Sequence, residues 1–298
     1  YDILGIVIRV CLPKDVPNWI NFLDEVFEYV APQSVKEDFA PFFVPENIGN
    51  ARLFFDEKDK IVASASLFAH QVITAAGSAR IGVIGAVATA EDARGKGHAT
   101  QILQDMEICG RLNNVDGMLL WSDKEDFYSK LGFNPVGHQE IFSLVNIKEP
   151  AKVNAVIQSF WTEDQVRPLY NMHASRVKRS DQYWDNIRKI TSCTRLQAVD
   201  SQGKVVAYMA MNRGKDLQNI IHEWGGDGAV LHAMAWSVQK LQPEVMWMTH
   251  PALVDPIRAQ LPADEVPLIR GPLALFKGFK PIDPAILDTM WFWGLDSL

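Results

Sequence analysis

The sequence predicts an α/β protein of two tandem domains, each a central mixed, mostly antiparallel sheet flanked by helices. Three observations predict it. The 298 residues exceed what one domain ordinarily holds, since a domain takes roughly 100–200. Runs with strand alternation are interleaved with runs at helical spacing in both halves. Near the middle, Pro150 follows a strand-like stretch, Ile141–Val145, and punctuates the chain, which sets expected domains at residues 1–149 and 150–298. Hydrophobic residues at 48% and charged residues at 22% suit a packed core and exclude a disordered, collagen-like or low-complexity chain.

The N-terminal half opens with a strand, Gly5–Val10. A helix follows Asp15, with Pro17 in its first turn, where a missing N–H costs nothing. Its apolar stripe is Trp19, Ile20, Leu23, Val26, Phe27 and Val30. Three strand-like runs come next, Ala51–Phe55, Lys60–Ile73 and Arg80–Ala88. Polar and glycine-containing turns at Asp56–Asp59 and Ala75–Ser78 divide them. The glycine-rich Arg94-Gly95-Lys96-Gly97 then runs straight into a helix whose buried stripe is Ala99, Ile102, Leu103, Met106 and Cys109. A strand at Met118–Trp121, a helix at Lys124–Leu131 and a closing strand pair from Phe133 complete a β-α-β-β-β-α-β-α-β order.

The C-terminal half repeats that order after a helical opening. Helices are predicted at Thr162–Ser175 and Ser180–Lys189, and strands at Arg195–Val199, Val205–Met211 and Asn219–Trp224. Gly225-Gly226-Asp227-Gly228 leads into an apolar helix, Ala229–Leu241. A strand (Glu244–Met248), a helix (Leu253–Gln260) and strands around Leu268–Gly278 follow.

Charge and composition narrow the function classes. The net charge of −7 argues against nucleic acid as a partner. The acidic balance favours a cationic small-molecule amine as partner. No apolar run approaches the roughly 18 residues of a membrane span. No basic segment followed by an apolar core marks a secretory leader. The first residue is Tyr1, so a starting fragment is expected to be missing. Three widely spaced cysteines, Cys11, Cys109 and Cys193, fit reduced thiols and a cytoplasmic location better than a disulfide framework. Neither CxxC nor HExxH occurs, so no metal is expected.

The chemistry centres on Arg94-Gly95-Lys96-Gly97-His98-Ala99. The first N–H groups of a helix lack intrahelical acceptors and sit at the positive end of its dipole. Glycines let an anion approach them, and Arg94 and Lys96 add charge, so the turn can cradle a pyrophosphate. It is neither a Walker A loop nor a complete GxGxxG fingerprint.

The Arg-x-x-Gly-x-Ala pattern from Arg94 through Gly97 to Ala99 resembles that of the GNAT N-acetyltransferase superfamily, as does the stretch Val87–Gly97. Phe127-Tyr128-Ser129-Lys130-Leu131-Gly132-Phe133 is similar to the family's Y-x-K-x-G-F signature, in the family's order and separation. The resemblance covers residues ~5–147 by element order. The tandem layout resembles the enhanced-intracellular-survival type of acetyltransferase. It implies two GNAT-like domains and acetyl-coenzyme A as co-substrate, with the pyrophosphate on the amides of Arg94, Gly95, Lys96, Gly97, His98 and Ala99. The pantetheine arm would run along Val87, Ala88 and Thr89. Gly82 and Gly85 either permit that approach or mark a bulge.

The resemblance further implies Tyr128 as general acid to the leaving thiolate, and an N–H near Val87 as oxyanion donor. A glutamate is common on the preceding strand in that family, but Ile81–Ala88 contains no acid. The base is therefore open among Asp123, Glu125, Asp126, His98 and a water chain. Glu91 and Ala93 also depart from the family's usual residues. The C-terminal half offers no matching cradle, because Asp227 puts negative charge where phosphates would sit, so it is expected not to bind coenzyme A. The aromatic tail Met290–Leu298 is expected to pack back on the N-terminal half, with Asp296 or the terminal carboxylate near the acceptor amine.

The expected activity is acetyl transfer from acetyl-coenzyme A to a primary amine by direct attack, in a monomer or homodimer. The alternatives are a non-catalytic acyl-coenzyme A binding or regulatory module, and an acyltransferase for longer chains.

Overall fold

A computed structural model describes residues 7–297. The first sheet contains β1 (Val7–Val10), β2 (Ala51–Phe55), β3 (Ile61–Thr74), β4 (Gly77–Thr89), β5 (Gly117–Leu120) and β6 (Asn134–Val136). The second contains β7 (Gln139–Ser143), β8 (Val156–Gln158), β10 (Thr194–Val199), β11 (Val205–Arg213), β12 (Leu217–Gly226), β13 (Met246–Thr249) and β14 (Ile269–Gly271). Two strands of the C-terminal half, β9 (Arg176–Val177) and β15 (Ala274–Gly278), join the first sheet. The helices are α1 (Val16–Val26), α2 (Val35–Asp38), α3 (His98–Leu112), α4 (Glu125–Ser129), α5 (Glu163–Asn171), α6 (Asp181–Arg188), α7 (Gly228–Leu241) and α8 (Pro284–Thr289).

Local chemistry explains the main elements. The Asp56 carboxylate accepts from the N–H groups of Lys58 and Lys60 at 2.8 and 2.9 Å, which closes the β2–β3 turn. Ala75 and Ala76 form the tip of the long β3–β4 hairpin. Ser180 caps α6 through the N–H of Tyr183. Helix α3 lays Ile102, Leu103, Met106 and Cys109 on the sheet, all buried, at the 3–4-residue spacing of one helical face.

The first sheet runs β1-β2-β3-β4-β5-β15-β6 and the second runs β8-β10-β11-β12-β13-β7-β14. The two orders correspond position for position, and in both the fourth and fifth strands are parallel. The sixth strand is exchanged. β15 lies antiparallel between β5 and β6, while β7 lies antiparallel between β13 and β14. Each half thus completes the other's sheet.

Two expectations are corrected. The strand pair expected from Phe133 does not pair with itself: β6 and β7 are adjacent in sequence, but Gly137 at φ +63° lies between them and they enter different sheets. The helix expected at Leu253–Gln260 shrinks to one 3-10 turn at Arg258–Gln260. Pro256 interrupts the helical pattern, and the Asp255 carboxylate draws the N–H groups of Ile257 and Arg258 into a local turn. The opening strand begins at Val7 here, and Gly5 and Ile6 lie outside the described residues.

The tail does pack back across the fold. Met290 through Leu295 are all buried, with Trp291 and Trp293 fully so. The Phe292 ring meets Trp121 at 5.6 Å and His70 at 6.1 Å, both in the N-terminal half. Each such aromatic removes about 150–250 Å² from water, about 4–6 kcal/mol at ~25 cal/mol/Å². Asp296 is fully buried and accepts from Arg179 at 2.8 and 2.9 Å and from the Tyr170 hydroxyl at 2.9 Å. Arg179 also forks onto both oxygens of Glu223, at 2.9 and 2.7 Å. Burial pushes both carboxyls up, and the Arg179 charge opposes it.

Candidate active site

The pairing of β4 with β5 lasts from Ile81–Gly117 to Val83–Leu119, and then the strands part. The cause is visible in β4. Its register against β3 slips between Ser64 and Ser66, so Ala65 faces both Ala86 and Val87. Ala86 takes φ +53°, a left-handed value uncommon outside glycine. The Ser64 hydroxyl donates to the Ala86 carbonyl at 2.8 Å and holds the bulge. Beyond Val83 the β5-side edge of β4 has no strand partner among the described residues.

A cleft of about 610 Å³ opens where the strands part. Ile84–Val87 form one wall, and Leu120–Lys124 with Tyr128 form another. Phe27, Tyr29 and Phe39 close it from the α1–α2 region, and Arg213, Lys215, Asp216 and Ser297 reach in from the C-terminal half. Sequence reasoning missed these last two groups. They are scattered single residues whose meeting depends on the two sheets abutting.

Val87 and Tyr128 therefore share one cleft. Tyr128 is 7% exposed on α4 and packs against Phe127 and Phe133 at 5.0 and 5.8 Å. Burial pushes its phenol up; Ser122 opposes that and the Asp123 charge adds to it. The proton is thus firmly held at neutral pH. Ala88 and Thr89 pair with Ser64 and Ala63 of β3 and are not in the cleft wall.

Arg94, Gly95, Lys96 and Gly97 are exposed on the turn after β4. Gly95 and Gly97 have φ +76° and +82°, and a Cβ on either would meet only open space. Gly97 is the N-cap of α3 and offers no side-chain acceptor, so no cap covers the first-turn N–H groups. His98 turns its ring inward, 8% exposed and 4.3 Å from Phe54, so only its main chain is available to the turn. Burial lowers its pKa. Ala99 is half-buried on the same first turn.

Gly82 has a packing reason, since a Cβ there would stand 2.8 Å from Leu67. Gly85 lines the cleft beside the bulge. Of the candidate bases, Asp123 lines the cleft, Glu125 and Asp126 are exposed outside its wall, and His98 is buried against Phe54. Asp296 is corrected: its carboxylate is locked on Arg179 and Tyr170, away from the cleft wall. The terminal carboxylate, on Leu298, lies outside the described residues. Among the described residues no cluster of His, Cys, Asp and Glu could hold a metal, and no helix is long and apolar enough to cross a membrane.

Comparison with known proteins agrees with this architecture. The model of the acetyltransferase (GNAT) domain family matches residues 7–136. No curated protein matches the chain. A GCN5-related N-acetyltransferase from Anabaena variabilis has a similar structure, with TM-score 0.65 at 14% identity over 91% of this chain and 72% of that one. A conserved Enterococcus faecalis protein described as a probable N-acyltransferase gives TM-score 0.66 at 14% identity, over 92% of this chain and 72% of its own. Saccharomyces cerevisiae N-myristoyltransferase with bound myristoyl-CoA gives TM-score 0.57 at 10% identity, over 83% and 73%. Identities this low show a shared fold. Residues 7–136 match the acetyltransferase (GNAT) domain model, within a mixed α/β chain of two sheets whose fold is GNAT-like.

Proposed function

We propose that the chain moves an acyl group, acetyl in the first instance, from acyl-coenzyme A to a primary amine by direct attack in the cleft. The observation that carries this reading is that the bulged edge of β4 and the buried Tyr128 line one cavity. An open strand edge can pair with an extended, amide-bearing ligand. The pantetheine arm would lie along Val87, with Ala88 and Thr89 supporting the strand from its β3 side. The uncapped α3 turn, from Arg94 to Ala99, would receive the pyrophosphate. The open space around Gly95 and Gly97 suits that fit.

In this mechanism the amine nitrogen attacks the thioester carbonyl. The C–N bond forms and charge builds on the carbonyl oxygen, which the Val87 N–H stabilises. The C–S bond then breaks, Tyr128 gives its proton to the departing sulfur, and solvent restores that proton. The nitrogen loses its proton through water toward Asp123, the one acidic candidate in the cleft wall on that side. The C-terminal half, as a degenerate second domain spanning residues 150–298, supplies the far wall and binds no coenzyme A.

The deciding experiment is Tyr128→Phe. It should leave acetyl-coenzyme A binding intact by calorimetry and lower kcat by about 10²–10⁴. Full turnover would remove the acid role. The myristoyl-CoA seen in the yeast structure makes longer acyl donors a second reading, separated by competition between acetyl- and myristoyl-coenzyme A in the same titration.

A further inference from the structure

Arg213 ends β11 and is 3% exposed, yet it lines the cleft. Two register slips precede it in the β11–β12 ladder, and Asn212 takes φ +61°. The Asn212 side chain accepts from the N–H of Asn219 at 2.9 Å, which holds this local distortion. A bulge of this kind re-aims the following side chain, here inward. A buried guanidinium ordinarily comes with a carboxylate, because an unpaired buried charge is costly. Arg179 follows that rule with two. Arg213 does not: Nη1 donates to the Gly294 carbonyl, Nε has no hydrogen-bond partner, and no ion pair forms among the described residues.

The neighbouring charges make no direct contact with it among the described residues. Asp38 accepts from the Tyr29 hydroxyl. Lys215 Nζ donates to the carbonyls of Phe27 and Glu28, at 2.9 and 2.5 Å. Asp216 lines the cleft, and its charge and that of Asp38 act on Arg213, but neither forms a hydrogen bond or ion pair with it among the described residues. The cavity wall therefore includes a guanidinium that carries no carboxylate and whose buried Nε is left without a partner, a group suited to a carboxylate-bearing ligand.

We propose that the acceptor amine also bears a carboxylate, as a free amino acid or a short peptide does, and that Arg213 is its specificity-determining receptor. The proposal rests on the acyl-transfer reading and deepens it. It narrows the expectation of a cationic amine acceptor, which came from whole-chain charge, to amines that also carry a carboxylate. Tyr128 and Val87 line the same cavity as Arg213, so an acceptor held by its carboxylate at Arg213 would share that cavity with the reacting groups.

The test is thiol release from acetyl-coenzyme A with matched amines: L-phenylalanine against phenethylamine, L-lysine against 1,5-diaminopentane, and glycyl-phenylalanine as the peptide arm. The carboxylate-bearing member should win by about 10–100-fold in kcat/KM, the range of a charged hydrogen bond. Arg213→Met should erase that preference by raising KM with little change in kcat, and Arg213→Lys should recover part of it. Independently of turnover, N-acetyl-phenylalanine should raise the melting temperature of the wild type and not of Arg213→Met, and should do so more than N-acetyl-phenethylamine. If Arg213→Met does not fold, the wild-type pairs and the melting shifts decide. Equal use of both members of each pair overturns the proposal, as does a melting shift indifferent to the carboxylate. Absence of any acetyl-coenzyme A binding by calorimetry would instead sink the acyl-transfer reading.

Discussion

Each half of the molecule has a strand that runs through glycines into a helix, and the two turns are built in opposite ways. At Gly95 and Gly97 the space a Cβ would fill is empty, and no side chain caps α3. At Gly225 a Cβ would meet Tyr208 at 2.7 Å and His173 at 3.0 Å, and at Gly226 it would meet the Val206 carbonyl at 2.3 Å. The Asp227 carboxylate accepts from the N–H groups of Ala229 and Val230, at 2.9 and 3.0 Å. One turn leaves its amides and space for an outside anion. The other has filled both with its own atoms.

The strand gaps differ in the same way. Where β4 leaves β5 there is a cleft. Where β12 leaves β13, Trp224 stacks on Trp247 at 4.9 Å and Trp293 meets Trp224 edge-on at 5.1 Å. Glycine content alone does not mark a binding turn; what fills the space around the glycines decides.

The comparison can be broken in graded steps. The largest effect is expected on the filled side. Arg179→Met leaves Glu223 and Asp296 buried without their cation and should cost about 3–5 kcal/mol, read by urea unfolding. A loss below 1 kcal/mol would show that the network is incidental to tail docking. On the open side, Gly97→Glu places a side chain at φ +82° and a negative charge at the turn. Coenzyme A affinity should fall by at least about a hundredfold, roughly 2.7 kcal/mol by calorimetry, and an unchanged affinity would dismiss the turn as the diphosphate site.

The tail offers an acid-sensitive step. His70 lies near Phe292, and burial takes its pKa down to about 3; His173 stands 4.1 Å from Trp293, and burial takes it down to about 4. Both titrate near 6.5 when unfolded. Between those values the unfolded chain binds more protons, so stability is full above pH 6.5 and falls as the pH drops. The slope should reach up to about 1.4 kcal/mol per pH unit for each histidine. Urea melts from pH 7 to 4 should show the slope, and His70→Phe should flatten it by one histidine's share, since the buried His222 adds a slope of the same sign. The smallest effect is Asp227→Ala, a lost cap worth about 1 kcal/mol. It should leave coenzyme A stoichiometry at one per chain, and a second site appearing would show that the cap alone keeps that turn closed.

Much of this was readable from the residues. Strand and helix positions follow from local spacing, so β2 and α7 fall where expected, and the charge on Asp227 already spoke against a second cradle. Partners are another matter. The alternation in Gln139–Ser143 says that a strand exists, not that it lies beside Met246–Thr249. Pro256 and Asp255 overrode a helical pattern that apolar spacing alone favoured. Arg213 left no sequence signature, being a single basic residue after an apolar strand; only the backbone turn at Asn212 and the empty hydrogen-bonding position at Nε reveal it.

The traded sixth strands set a constraint on how the chain can be made and cut. During synthesis β5 leaves the ribosome long before β15, so one margin of the first sheet waits uncovered while the whole C-terminal half is translated. Pairings this distant in sequence close slowly, and bare strand margins invite intermolecular pairing. A fragment ending at residue 149 would keep that margin permanently and present β7 with no sheet of its own. Supplying the missing half as a separate chain should then rescue such a fragment by complementation, where dilution or added detergent would not.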